Sequence, residues 1–141
     1  EYHYHLCVDS TCPIFMKDFS WFVPGGLDIT AMEAGAQYLL GEHDFKSFCM
    51  AASAEGKPTH RNVREISFHP ETVMGENLMS IKVVGNAFLH SMVRTIVGTL
   101  VMVGKGQRDA DWVGEVLEAC DRRVAGENAP AQGLVFWRVI Y

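Results

Sequence analysis

The segment Val83–Gly104, "VVGNAFLHSMVRTIVGTLVMVG", carries one charged side chain, Arg94; the nearest charges are Lys82 before it and Lys105 after it. A guanidinium stays protonated, and burying it without an anionic partner is strongly unfavourable. Arg94 therefore requires a carboxylate, structural or catalytic, or a phosphate. The spacing predicts a helix over Phe88–Val103. Phe88, Leu89, Met92, Val93, Ile96, Val97 and Leu100 form its wide apolar face, and His90, Arg94 and Gly98 follow at i, i+4, i+8 on another stripe. Gly98 removes a side chain where a neighbour could come close.

Other residue groups are weaker candidates for chemistry. Lys57, His60, Arg61 and Arg64 form the densest basic cluster, beside the small-residue stretch "AASAEGK". The cluster could bind phosphate or could be a solvated surface. His3, His5 and Cys7 share one face of a strand, but ligands two residues apart on a flat strand converge poorly on one ion, so no metal is expected. "GKGQR" lacks the spacing of a phosphate-binding loop. By spacing alone, Tyr2 and Tyr4 pack a sheet face.

The elements that must position these residues follow from periodicity. "YHYHLCV" alternates Tyr2, Tyr4, Leu6 and Val8 against His3, His5 and Cys7, a strand with two usable faces. A loop with Pro13 leads to a short aromatic run, "FSWFV", ended by "PGG". Asp28 caps a helix through "ITAMEAGAQYLL", which Gly41 stops. "GEHDFKSFC" and "AASAEGKPTH" read as loop. "NVREISFHP" and "LMSIKVVGN" form a hairpin turning near Gly75–Asn77. A helix over about Asp111–Ala119 turns Trp112, Val113, Val116 and Leu117 inward, and "GLVFWRVIY" is a final strand. This order predicts an α+β fold, a mainly antiparallel sheet covered by helices on one side.

The totals restrict the class. At 141 residues and 48% hydrophobic composition, the chain fits a single domain with a core that needs no disulfides. Cys7, Cys12, Cys49 and Cys120 are scattered without a CxxC pair, which fits reduced thiols and a cytoplasmic setting. The net charge of −5 argues against a module that grips nucleic acid by charge alone. The charge is uneven: residues 43–108 hold eight Lys/Arg against five Asp/Glu, so a local basic surface can sit on an acidic whole. The apolar segment is nearly long enough to span a bilayer. However, Asn86, His90 and Arg94 interrupt it, a mid-span arginine costs roughly 2.5–3.5 kcal/mol, and the run begins inside a predicted strand. No membrane association is expected. The opening "EYHYHLCV" has neither a Met start nor the features of a signal peptide, and the sequence reads as a fragment.

"NAFLHSMVRTIVGTLVMVGKG" closely resembles a signature segment of the tRNA pseudouridine synthase A family. So do "LDITAMEAGAQYLLGEHDFKSF", the "THR" at Thr59–Arg61 followed by "NV", "LEACDRRVAGENAPAQGLVFWRVIY" and the opening "YHY". These matches are collinear and cover nearly the whole chain, and the resemblance is to the C-terminal half of the family. It implies a uridine isomerase that acts on tRNA, at the anticodon stem-loop, as a homodimer and without a cofactor.

The resemblance also implies residue roles. Arg94 matches the residue that pairs with the catalytic aspartate, Tyr2 the tyrosine that stacks on the target base, and Leu134 a wall of the uracil pocket. Arg61 and Lys57 are candidates to meet phosphates from the basic cluster alone, against a solvated surface, and His90, one turn from Arg94, is a candidate to line the cleft, against a structural role. The aspartate itself belongs to a "G-R-T-D-x-G-V"-like motif of the family's N-terminal half, and this sequence has no such motif. The nucleophile is therefore expected upstream, with the N-terminal half of the same protein as partner. The rival readings are a non-catalytic RNA-binding module on the same scaffold and a structural or membrane-associated domain.

Overall fold

The computed structural model describes residues 1–50, 56, 58–89 and 91–136. Six strands form one sheet: β1 (Tyr2–Cys7), β2 (Trp21–Phe22), β3 (Gly41–Asp44), β4 (His60–Val73), β5 (Glu76–Gly85) and β6 (Leu134–Phe136). The strand order is β2-β1-β5-β4-β3, and β6 also pairs with β1. The two partners share one edge of β1. Tyr2–Tyr4 pair antiparallel with Phe136–Leu134, while Leu6–Cys7 pair parallel with Trp21–Phe22. That parallel pairing is the exception in an otherwise antiparallel sheet.

The alternation read from β1 is the alternation observed. Tyr4 and Leu6 lie opposite Ile81 and Met79 of β5, and Tyr2 opposite Val83. Tyr4, Leu6, Ile81 and Val83 are buried in one core with the helices α1 (Ile29–Gln37), α2 (Met92–Gly104) and α3 (Asp111–Ala119). Helices therefore cover one face of the sheet. On the other face His3, Lys82 and Ser67 form one row, and His5, Ser80 and His69 the next.

Several boundaries differ from expectation. The Asp28 carboxylate caps α1 by accepting from the Ala31 amide at 3.1 Å, as its side chain predicts. The helix ends at Gln37, and Gly41, at φ +94°, opens β3 instead of terminating α1. "GEHD" is therefore an edge strand paired with β4 and not loop; backbone pairing along β4 overrides its polar composition. The hairpin turns at Met74 and Gly75, both at positive φ, which suits the twist of a two-residue connection. Helix α3 runs where the sequence placed it. Among the described residues, no helix is long and apolar enough to cross a membrane.

Residues 9–20 are tied to the hairpin by carboxylates. Glu76 accepts from the Ile14, Phe15 and Met16 amides at 2.6, 3.3 and 2.8 Å, and Asp9 accepts from the Asn77 amide and side chain at 3.1 and 2.9 Å. Desolvation pushes the Glu76 carboxyl up, but the three amide bonds outweigh it and hold it below the ordinary glutamate value. Its hold on the loop is complete above that ordinary value and is lost as pH falls through the lowered one. In an acid titration followed by NMR, the Ile14 and Met16 amides should shift before those of β5. In Glu76→Ala, both should lose hydrogen-exchange protection at neutral pH, with the sheet amides unchanged.

Candidate active site

Helix α2 is apolar almost all round; Met92, Val93, Ile96, Val97, Leu100 and Val101 are all buried. It begins four residues later than periodicity suggests. Ser91 adopts a left-handed conformation, φ 63°, and the chain turns there before helical bonding starts with Thr95 N to Ser91 O at 2.9 Å. Phe88 and Leu89 therefore precede the helix instead of lying on its face. His90, expected one turn from Arg94, lies outside the described residues, so the i, i+4, i+8 stripe reduces to Arg94 and Gly98. Arg94 sits half-buried in the first turn of α2.

Gly98 does have a close neighbour, and it is the chain's own backbone. The loop Gly126–Pro130 crosses α2 so tightly that a Cβ on Gly98 would lie 1.7 Å from the Glu127 carbonyl oxygen, and one on Gly126 would lie 2.8 Å from Thr99 Cα. The crossing is stitched by hydrogen bonds. The Gly126 amide donates to Thr99 Oγ1 (3.0 Å), Thr95 Oγ1 donates to Asn128 Oδ1 (2.6 Å), and the Ala129 amide donates to the Arg94 carbonyl (3.0 Å). In return Arg94 Nε donates to the Ala129 carbonyl at 2.7 Å.

That bond fixes the guanidinium by one edge. Arg94 forms no ion pair with any described carboxylate; the ion pairs among the described residues are His3–Glu1, Lys82–Glu65 and Arg123–Asp121. Arg94 lines a cleft of about 520 Å³ whose other walls include Tyr2, Phe88, Leu89, Met92, Ala131 and Leu134. The sequence thus singled out three residues, Arg94, Tyr2 and Leu134, that the fold brings to one cavity.

The strand register does this. Leu134 lies opposite Tyr4 on β1, two residues from Tyr2, so β6 carries it to the same edge. Tyr2 is half-buried and meets Phe88 edge-on, with centroids 5.1 Å apart at 87°. Tyr4 has the opposite fate. It is fully buried, its hydroxyl donates to the Pro130 carbonyl, and Gly133 makes room for its ring, since a Cβ there would lie 2.7 Å from Tyr4 Cζ. Burial pushes the Tyr4 phenol far above its ordinary value, although the Arg94 charge opposes this. Tyr4 therefore packs the core and pins the loop that holds Arg94.

Sequence reasoning missed Phe88 as a wall of the cleft and the Gly126–Pro130 loop as the clamp on Arg94. The signal was the pair Gly98 and Gly126, two glycines where two backbones must touch. The basic residues are elsewhere. Arg61, at the start of β4, does not line the cleft; its Nη1 donates to the carbonyls of His60 (2.7 Å) and Pro58 (3.4 Å). Lys57 lies outside the described residues. A cleft with aromatic and aliphatic walls and one arginine held at its edge suits a flat, weakly polar ring with an anionic group beside it, and an arginine there can orient and stabilise charge but cannot act as a base.

Comparison with known proteins agrees with this arrangement. Residues 36–141 match the sequence profile described as tRNA pseudouridine synthase. The protein called tRNA pseudouridine synthase A of Brevibacillus brevis is 43% identical over 141 residues, which cover 98% of this chain and 55% of that protein. The protein of the same name from Halalkalibacterium halodurans is 40% identical over 138 residues, 98% of this chain and 51% of its own. The Bacillus cereus protein called tRNA pseudouridine synthase A 1 is 38% identical over 141 residues, covering the whole of this chain and 55% of its own length. The chain thus spans about half the length of the curated relatives it matches. With the cleft and its guanidinium formed as described, these matches establish that the chain belongs to the tRNA pseudouridine synthase family.

Proposed function

We propose that this chain is the C-terminal half of an isomerase that converts uridine to pseudouridine in tRNA, and that it supplies Arg94 to an aspartate carried by the other half. The observation behind this is the state of Arg94: clamped at Nε by Ala129, lining the cleft, and without an ion-pair partner among the described residues. A carboxylate entering beside it would be held ionised and oriented, ready to attack.

The reaction proceeds within the cleft. The aspartate starts cleavage of the bond between uracil N1 and the ribose. The freed base stays between Tyr2 and Leu134, turns, and rejoins the sugar through C5; the C5 proton then leaves. The apolar walls keep the detached base from water while it turns. No metal or nucleotide is needed. The target lies in the anticodon stem-loop, and the whole enzyme works as a cytoplasmic homodimer. Incubating the full-length protein with tRNA carrying 5-tritiated uridine should release tritium without shortening the RNA; a folded full-length protein that releases none would sink the proposal.

Tyr2 acts as the stacking wall, because its ring borders the cleft and is braced by Phe88. Base–aromatic stacking is worth about 1–3 kcal/mol. Tyr2→Ala should therefore lower kcat/KM by roughly 5- to 150-fold, each ~1.4 kcal/mol being tenfold. Tyr2→Phe keeps the ring, so a loss in Phe as large as in Ala would assign the phenol to proton transfer instead of stacking.

A further inference from the structure

The cleft explains Arg94 but not the other cations gathered at the same end of the sheet. The register brings them together. β1 begins at Tyr2 opposite Val83, β5 ends at Gly85 opposite Val63, and Arg61 at the start of β4 lies opposite His43 at the end of β3. Lys46 follows β3 in the 3-10 turn Lys46–Phe48, which packs on the turn Arg122–Val124; the Asp121 amide donates to Ser47 Oγ between them at 2.8 Å. Arg122 Nη2 reaches Asn128 Oδ1 at 3.5 Å, and Asn128 also takes the hydroxyl of Thr95, the residue next to Arg94.

The charges converge. Arg61 sits where β4 pairs with the end of β3, and the turn that carries Lys46 packs on the turn that carries Arg122, so the three residues lie on adjoining elements. Consistent with this, Lys46, Arg61 and Arg122 each oppose the upward push of burial and the Asp44 carboxylate on the buried Cys49 thiol. None of the three forms an ion pair among the described residues. Arg61 Nε is buried with no acceptor among the described residues. The nearby carboxylates are already engaged: Asp44 accepts from the Thr59 hydroxyl and, at 3.1 Å, the Lys46 amide, and Asp121 pairs with Arg123 at 2.9 Å.

We propose that Lys46, Arg61 and Arg122 form a phosphate-binding site beside the cleft, which grips the RNA backbone flanking the nucleotide that enters it. This rests on the isomerase reading. Three cations on separate elements, none of them in an ion pair among the described residues, suit a polyanion better than a single small acid. The cleft has apolar walls for a base, so the sugar-phosphate chain must remain outside it, at this end of the sheet.

The test is the salt dependence of tRNA affinity. In the full-length protein, the triple variant Lys46→Gln, Arg61→Gln, Arg122→Gln should bind tRNA roughly a hundredfold more weakly at low salt. Its plot of log affinity against log salt should be shallower by about 2–3. Arg108→Gln, at the far end of α2, should leave the slope unchanged. An unchanged slope in the triple variant, or an equal loss in Arg108→Gln, overturns the site. Lys46→Gln alone, at an exposed side chain, decides the matter if the triple variant fails to fold: a slope shallower by about 1 supports the site and an unchanged slope overturns it. Tritium release by the unsubstituted protein is read in parallel. No release together with the slope loss would defeat the isomerase reading while leaving an RNA phosphate site in place.

Discussion

Arg94→Leu in the full-length protein should lower the rate of uridine isomerisation by about a thousandfold while leaving the fold intact. A guanidinium 4 Å from a carboxylate contributes about 4 kcal/mol at an effective dielectric near 20. At roughly 1.4 kcal/mol per decade, that is close to three decades of rate if the interaction serves the ionised nucleophile. The structural cost is smaller. Arg94 is half-buried, and leucine suits the apolar surroundings of the first turn of α2. The Ala129 carbonyl loses its Nε donor, which costs about 1–3 kcal/mol where water cannot replace it. Circular dichroism should be unchanged and the melting temperature lowered by no more than about 10 °C. Arg94→Lys separates charge from orientation. It keeps a cation but cannot reproduce the guanidinium's planar, multi-donor geometry, so it should recover only part of the rate.

Gly98→Ala should be the most damaging single methyl in the described structure. Its Cβ would meet the Glu127 carbonyl at 1.7 Å, a backbone atom that cannot rotate away. Either α2 or the loop must move, and overpacking of this kind costs about 3 kcal/mol at the upper end of the usual range. For a domain of this size that is roughly 10 °C in melting temperature. The loop that shifts also carries Ala129, so Arg94 loses its clamp. Gly98→Ala should therefore lose activity at temperatures where it is still folded. Alanine placed one turn later, at the buried Val101, should cost stability without that excess loss of activity. A Gly98→Ala protein with full activity and an unchanged melting temperature would mean that the loop does not cross α2 as described.

What could be read from the sequence was whatever had a period or a forced chemistry. The two-residue alternation of β1 placed Tyr4 and Leu6 in the core, and Asp28 marked the start of α1. The isolation of Arg94 called for an anionic partner, structural or catalytic, before any neighbour was known. What could not be read depended on contacts distant in sequence. "GEHD" is polar and looks like loop, yet it pairs with β4 because that strand offers a free edge. The apolar run from Phe88 looks continuous, but the left-handed turn at Ser91 breaks it and swings Phe88 towards Tyr2 instead of onto the helix face. Gly98 advertised a close approach, but nothing local could say that Glu127, well downstream, would fill it. Spacing alone put both Tyr2 and Tyr4 in the packing of a sheet face; the fold separates them, one ring at the cleft and the other sealed against Pro130.

The most direct test of the account is tritium release from tRNA carrying 5-tritiated uridine, measured side by side for the full-length protein and for residues 1–141 alone. If Arg94 serves a carboxylate from the other half, the full-length protein releases tritium and the 141-residue chain releases none, even when it is folded. Release by the 141-residue chain alone would contradict the account, because the nucleophile would then lie within this sequence.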